Sequence, residues 1–111
     1  MSDAENREKI AHLNDVLRHT FLTGTVVLTN GVQALPDETR ERVLTHVRCF
    51  DDFDLGNYPH GERDFGGFNV DGQGYFWKID YYDFDLKFLS PDPADPNVTK
   101  RVLTIMLADE Y

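Results

Sequence analysis

An α+β domain, two helices packed on a largely antiparallel four-stranded sheet, is the fold this sequence predicts, and three observations predict it. Apolar residues recur at helical spacing in the first half of the chain, at Ile10, Leu13, Leu17 and Phe21 and again at Val43, Leu44, Val47 and Phe50. From Phe65 the pattern changes to period two, with Tyr75, Trp77, Ile79 and Tyr81 alternating with Phe76, Lys78, Asp80 and Tyr82. The order helix, strand, helix, then three strands is that of helices layered on a sheet of hairpins. At 111 residues the chain fits one domain, 1–111, with a single core.

Each element has its own local cause. Ser2 with Glu5 forms an S-x-x-E capping box, so the first helix runs from about residue 3 to 20, and Gly24 is expected to end it. Thr25 to Thr29, with consecutive Val26, Val27 and Leu28, reads as a short buried strand closed by an Asn30-Gly31 turn. Pro36 starts the second helix, and Asp37 and Glu38 sit favourably in its first turn. Asp51 to Asp64 has glycines and a proline without periodicity and reads as an ordered loop. Phe68 and Val70 lead into Asp71-Gly72-Gln73-Gly74, which is hairpin chemistry. Pro91, Pro93 and Pro96 make Ser90–Pro96 a stiff connection, because proline lacks the donor a ladder needs. Arg101 to Leu107 is apolar on both faces and is expected to be a central strand.

Hydrophobic residues at 41% and aromatics at 13% are those of a folded globule rather than an acidic disordered tail. A lone cysteine, Cys49, excludes an internal disulfide and a thiolate metal cage, and its place beside Phe50 suggests an inert buried thiol. The first residues, MSDAENREKI, carry no apolar stretch of a secretory leader, so a cytoplasmic protein is expected, and Asn97-Val98-Thr99 is a chance glycosylation sequon.

The net charge is −9, and it is local: Phe50 to Asp95 holds eleven acids against Arg63, Lys78 and Lys87, a net of −8. That balance argues against direct contact with nucleic acid or anionic membrane, which needs cationic side chains. The same acidity also serves solubility, whatever else it does. Interleaved with aromatic rings, it describes a surface for a cationic partner.

Catalytic patterns are sparse. His60, Glu62 and Asp64 are respectable ligand types for a metal-dependent hydrolase. A zinc deaminase, however, needs a P-C-x-x-C half that the chain lacks. Gly66-Gly67 has no helix, lysine or hydroxyl after it to make a phosphate loop, and no G-x-S-x-G occurs. No cofactor is implied.

The string FWKIDYYD at Phe76–Asp83, with HGERDFG before it and LTIMLADEY at Leu103–Tyr111, resembles a small family of unknown function found mainly on plasmids and mobile islands of alphaproteobacteria. The likeness spans roughly residues 7 to 111. Where its members tend to show D-P-x-G-E-H-D-F-G, this chain has Tyr58-Pro59-His60-Gly61-Glu62-Arg63-Asp64-Phe65-Gly66, with Arg63 replacing a histidine. That replacement weakens a metal reading of the loop. The family brings no catalytic residues; the resemblance implies a small accessory protein of a mobile element that acts by binding proteins.

The leading expectation is therefore a non-enzymatic, acidic, nucleic-acid-mimicking inhibitor of a nucleic-acid-binding defence complex, of anti-CRISPR or anti-restriction type, that blocks a basic channel. Lysines and arginines set for phosphates also accept carboxylates, and guanidinium groups stack on rings. The expected contacts are Asp51, Asp52, Asp54, Tyr58, Glu62, Asp64, Asp80, Tyr82, Asp83 and Asp85. A homo-oligomeric regulatory protein, and the hydrolase with His60, Glu62 and Asp64, are the alternatives.

Overall fold

The computed structural model describes residues 3–53 and 61–111. Its elements are α1 (Asp3–Thr20), β1 (Thr25–Leu28), α2 (Asn30–Gln33), α3 (Asp37–Cys49), β2 (Phe65–Val70), β3 (Gln73–Tyr82) and β4 (Lys100–Leu107), followed by a 3-10 turn at Ala108–Glu110. The strands form one sheet in the order β1-β4-β3-β2, with α1 and α3 packed on one another and against it.

The architecture is α+β, but the sheet is mixed. β2–β3 and β3–β4 are antiparallel, whereas β1 lies parallel to β4 with Thr25 opposite Val102 and Leu28 opposite Ile105. Hairpin signals report only pairing between strands close in sequence, and β1 reaches β4 across more than seventy residues of chain. The expectation of a central last strand holds, since β4 separates β1 from β3. β1 is not the buried strand expected: it is an edge strand, exposed at Thr25 and Val27 and half-buried at Val26 and Leu28.

Two expected local signals act differently. Asn30-Gly31 opens the one-turn helix α2, which buries Val32, in place of the turn expected to close β1. α1 spans Asp3–Thr20 as expected, but the residue that follows its last turn in the left-handed region is Phe21, at φ 59°, and not Gly24. There the Phe21 N–H donates to Leu17 O, and Phe21 packs against the core while the Arg48 guanidinium covers its ring. Packing offsets the backbone cost that glycine would have avoided. Between β2 and β3 the turn follows the local rule. Asp71 and Gly72 both have positive φ, 53° and 85°, as a two-residue type I′ turn requires.

The core joins Leu17, Val32, Val43, Val47, Val70, Tyr75, Trp77, Ile79, Leu103 and Ile105. The odd-numbered residues of β3 point at the helices, and Trp77 is enclosed edge-on by Phe50 and Phe53. A Cβ at Gly66 would stand 2.8 Å from the Phe50 ring and closer still to Trp77 Nε1, so the glycine lets β2 lie against that cluster. Cys49 is exposed, contrary to expectation, because Val43 and Val47 carry the buried stripe of α3 and the last residue falls off it.

The terminal turn is tied down by one carboxylate. Glu110 accepts from Thr29 Oγ1 at 2.6 Å, Gly31 N at 2.9 Å and Leu107 N at 2.9 Å. These donors, Thr29 foremost, hold its carboxyl below the ordinary glutamate value of 4.5. A depressed folded value means the stabilisation is present above the ordinary value and is lost as pH falls through the lower one. Glu110→Gln should therefore lower the melting temperature at pH 7. The gap to the parent should close on acidification below about pH 4.5. A gap that persists unchanged at pH 3 in thermal melts would contradict this clamp.

Candidate functional site

Among the described residues, the fold places the sequence-predicted acids in three groups. Glu62 and Asp64 lie on the helix side of the sheet near Tyr81. Glu62 Oε1 accepts from Tyr81 Oη at 2.9 Å, so this carboxylate belongs to an internal network, not to a free contact surface. The network's centre is Asn14, wholly buried on α1, which donates to Tyr81 Oη at 2.8 Å and to Glu62 O at 3.0 Å. Its Oδ1 accepts from Arg101 Nε at 2.8 Å, and the Arg101 guanidinium lies over the Tyr81 ring while donating to Pro93 O. Burial pushes the Tyr81 phenol up and pulls the Arg101 guanidinium down from its ordinary value. The network pins the residues before β2 and the proline-rich connection onto α1.

A second cluster adjoins it. Asp15 pairs with both Arg18 and Arg63, and Arg18, 2% exposed, packs against the Phe53 and Trp77 rings at 5.3 and 5.2 Å. Arg18 Nη1 donates to Val47 O at 2.9 Å, Phe50 O at 2.7 Å and Arg48 O at 3.3 Å, collecting carbonyls at the end of α3. Burial lowers its affinity for the proton, and the Asp15 carboxylate opposes that shift. Asp51 and Asp52 follow this anchor and are exposed. Asp54, Tyr58 and His60 lie outside the described residues, so the hydrolase set is represented only by Glu62 and Asp64. Among the described residues no three His, Cys, Asp or Glu side chains converge as metal donors.

The third group surrounds the end of β3. Asp80 pairs with Lys78 at 3.2 Å on the sheet face away from the helices. That face is partly covered: Phe65 stacks on Phe76 at 5.2 Å, and Tyr111 closes over both. Phe76 is thus a packed ring and not the exposed contact its pattern suggests. Beside it, Lys78, Asp80, Tyr82, Val102, Thr104 and Met106 line a shallow cavity of about 500 Å³. Beyond the strand, Asp83 caps the backbone N–H of Lys87 through Oδ1 at 3.1 Å, and Asp85 is exposed.

Asn14, Arg18 and Arg101 are the polar residues that sequence reasoning missed. A signal was present: Asn14 and Arg18 fall at i+4 and i+8 from Ile10 and flank Leu17 on the same apolar stripe, where a polar residue must find internal partners. A separate cleft of about 730 Å³ runs between α1 and the proline-rich connection, lined by Glu5, Glu8, Lys9 and His12 from the helix and by Asp92 and Asp95 from the connection. No helix among the described residues is long and apolar enough to cross a membrane.

No curated protein and no solved structure matches this chain. A family model does match over residues 28–110, from the end of β1 to the terminal turn, leaving α1 outside it. By that match over most of its length, the chain belongs to the family described as protein of unknown function, DUF3768.

Proposed function

We propose that this protein acts by binding another protein, as an acidic inhibitor of a nucleic-acid-binding defence complex of CRISPR or restriction type, and that it occupies a basic channel otherwise used by phosphates. The observation that supports this reading is the fate of the few basic residues in the acidic half. Of the three between Phe50 and Asp95, Arg63 is paired to Asp15 and Lys78 to Asp80, while Asp51, Asp52 and Asp85 remain exposed. The surface field is thus negative, and such a field steers a cationic partner and falls with salt. Glu62 takes no part, since Tyr81 and Asn14 hold its segment inside.

The test is binding of the full chain to immobilised, purified CRISPR effector ribonucleoproteins and restriction endonucleases over a salt series. Asp51→Lys with Asp85→Lys should slow association by about tenfold or more at low salt and flatten the salt dependence. Binding that is insensitive to salt and to this double reversal would reject the electrostatic reading.

A further inference from the structure

We propose that the loop Asp83–Leu89 is the anchor with which the protein seats in its partner, inserting apolar side chains into a cleft rimmed by lysine and arginine; this rests on the protein-binding reading above. Phe84, Leu86, Phe88 and Leu89 are 58, 51, 73 and 77% exposed within six consecutive positions. Isolated exposed apolar residues are ordinary, but four on one loop form the kind of patch that marks an interaction site.

The loop is also built, not loose. Asp83 N donates to Phe88 O at 2.9 Å, Leu86 N to Asp83 O at 3.0 Å, and Ser90 N to Tyr81 O at 3.0 Å, while Tyr82 and Leu89 form a bridge. The Asp83 carboxylate secures the Lys87 N–H from inside the turn. Leu86 holds the left-handed conformation at φ 58°, a position where glycine costs less. A half-exposed leucine there incurs backbone strain without core burial to offset it. A loop with only a structural task would be served by glycine and polar side chains. Presenting phenylalanine and leucine on a backbone already ordered reduces the entropy cost of docking.

Charge selects the occupant. Asp80 is paired with Lys78, and from Asp83 to Asp95 there are four carboxylates and one lysine, Lys87, so the cleft that receives the loop must supply cations at its rim. A second copy fits poorly, because each carries −9 and two tips meeting would bury far less than the roughly 800 Å² per partner of a stable interface. A lipid surface would have to desolvate Asp83 and Asp85 or meet them with anionic headgroups.

Phe84→Ser with Phe88→Ser is assayed on the same purified complexes as the Asp51 and Asp85 reversals. The parent should bind, and the serine pair should dissociate at least about thirty-fold faster with the salt slope preserved, because the steering charges remain. Its melting temperature should stay within about 3 °C of the parent, both side chains being exposed. Parent binding that the serine pair leaves intact overturns the anchor while the inhibitor reading stands. If the parent binds none of these complexes, that reading fails and the anchor is judged separately. For this, benzoylphenylalanine is placed at position 88 of the full chain in bacterial cells, and the cross-linked peptide is mapped. An adduct within a lysine- and arginine-rimmed cleft of another protein supports the anchor. A dimer adduct, a lipid adduct or no adduct overturns it.

Discussion

Arg18→Ala is expected to destabilise the protein by about 3–5 kcal/mol, a large part of the stability of a domain this size. Arg18 is a cation enclosed by α1, α3 and the Trp77 cluster, and three carbonyls at the end of α3 accept from its Nη1. The Val47 and Arg48 carbonyls lie in the last turn of α3, where a helix has no further N–H of its own to offer each of them, and the Phe50 carbonyl lies just beyond it. Truncation removes their donor and also opens a cavity beside the Phe53 and Trp77 rings, against which the guanidinium packs. Arg18→Met separates the two causes. It retains much of the stem's packing, so the loss should fall to about 1.5–3 kcal/mol, the part owed to charge-assisted hydrogen bonds. Arg18→Lys should recover little, since one ammonium on a flexible stem cannot reproduce a fork aimed at several acceptors. Chemical denaturation of the three variants decides the matter. An alanine variant within about 1 kcal/mol of the parent would show that water satisfies these carbonyls equally well.

Asn14→Leu should cost about 2–4 kcal/mol, although leucine has the same branching and number of heavy atoms as asparagine and suits a helix better. Its carboxamide is buried and serves three partners at once: Arg101 Nε, Tyr81 Oη and Glu62 O. Leucine leaves the Arg101 Nε–H without its acceptor in a site where burial already disfavours the charge. Pairing the change with Arg101→Met should restore part of the loss, because removing both partners leaves no orphan. Strict additivity of the two single losses would show that Asn14 and Arg101 are not coupled. Hydrogen exchange provides a second measure. Residues 61–64 should exchange faster in Asn14→Leu, since the Glu62 carbonyl loses its tie to α1.

α1, α3 and the β2–β3 hairpin were legible in the sequence because their causes are local. The stripe from Ile10 to Leu17, Asp71-Gly72 and the alternation from Tyr75 to Tyr81 each act within a few residues. Glu62 shows the limit. Its loop marked it as a surface contact, yet Tyr81, nineteen positions along the chain, and Asn14, on another element, turn it inward. Phe84 and Phe88 show what the alternation ending at Tyr82 does not describe: Asp83 caps a turn beyond the strand, and the apolar side chains of that turn are exposed. The carboxylates from Asp51 to Asp85 read as one surface for the same reason, since density along a chain does not specify a face.

By itself the sequence determined the α+β class, most element positions, the central place of the last strand and the concentration of negative charge between Phe50 and Asp95. These follow from periodicity, turn chemistry and composition, which are properties of neighbouring residues. Only the tertiary structure decided that β1 lies parallel to β4, that Asn14, Arg18 and Arg101 are internal polar ties, and that Glu62 is held while Asp51, Asp52 and Asp85 face solvent. The physical reason is common to all three. Each depends on which distant groups meet when the core closes, and a buried polar atom takes whatever partner that closure brings within hydrogen-bonding distance.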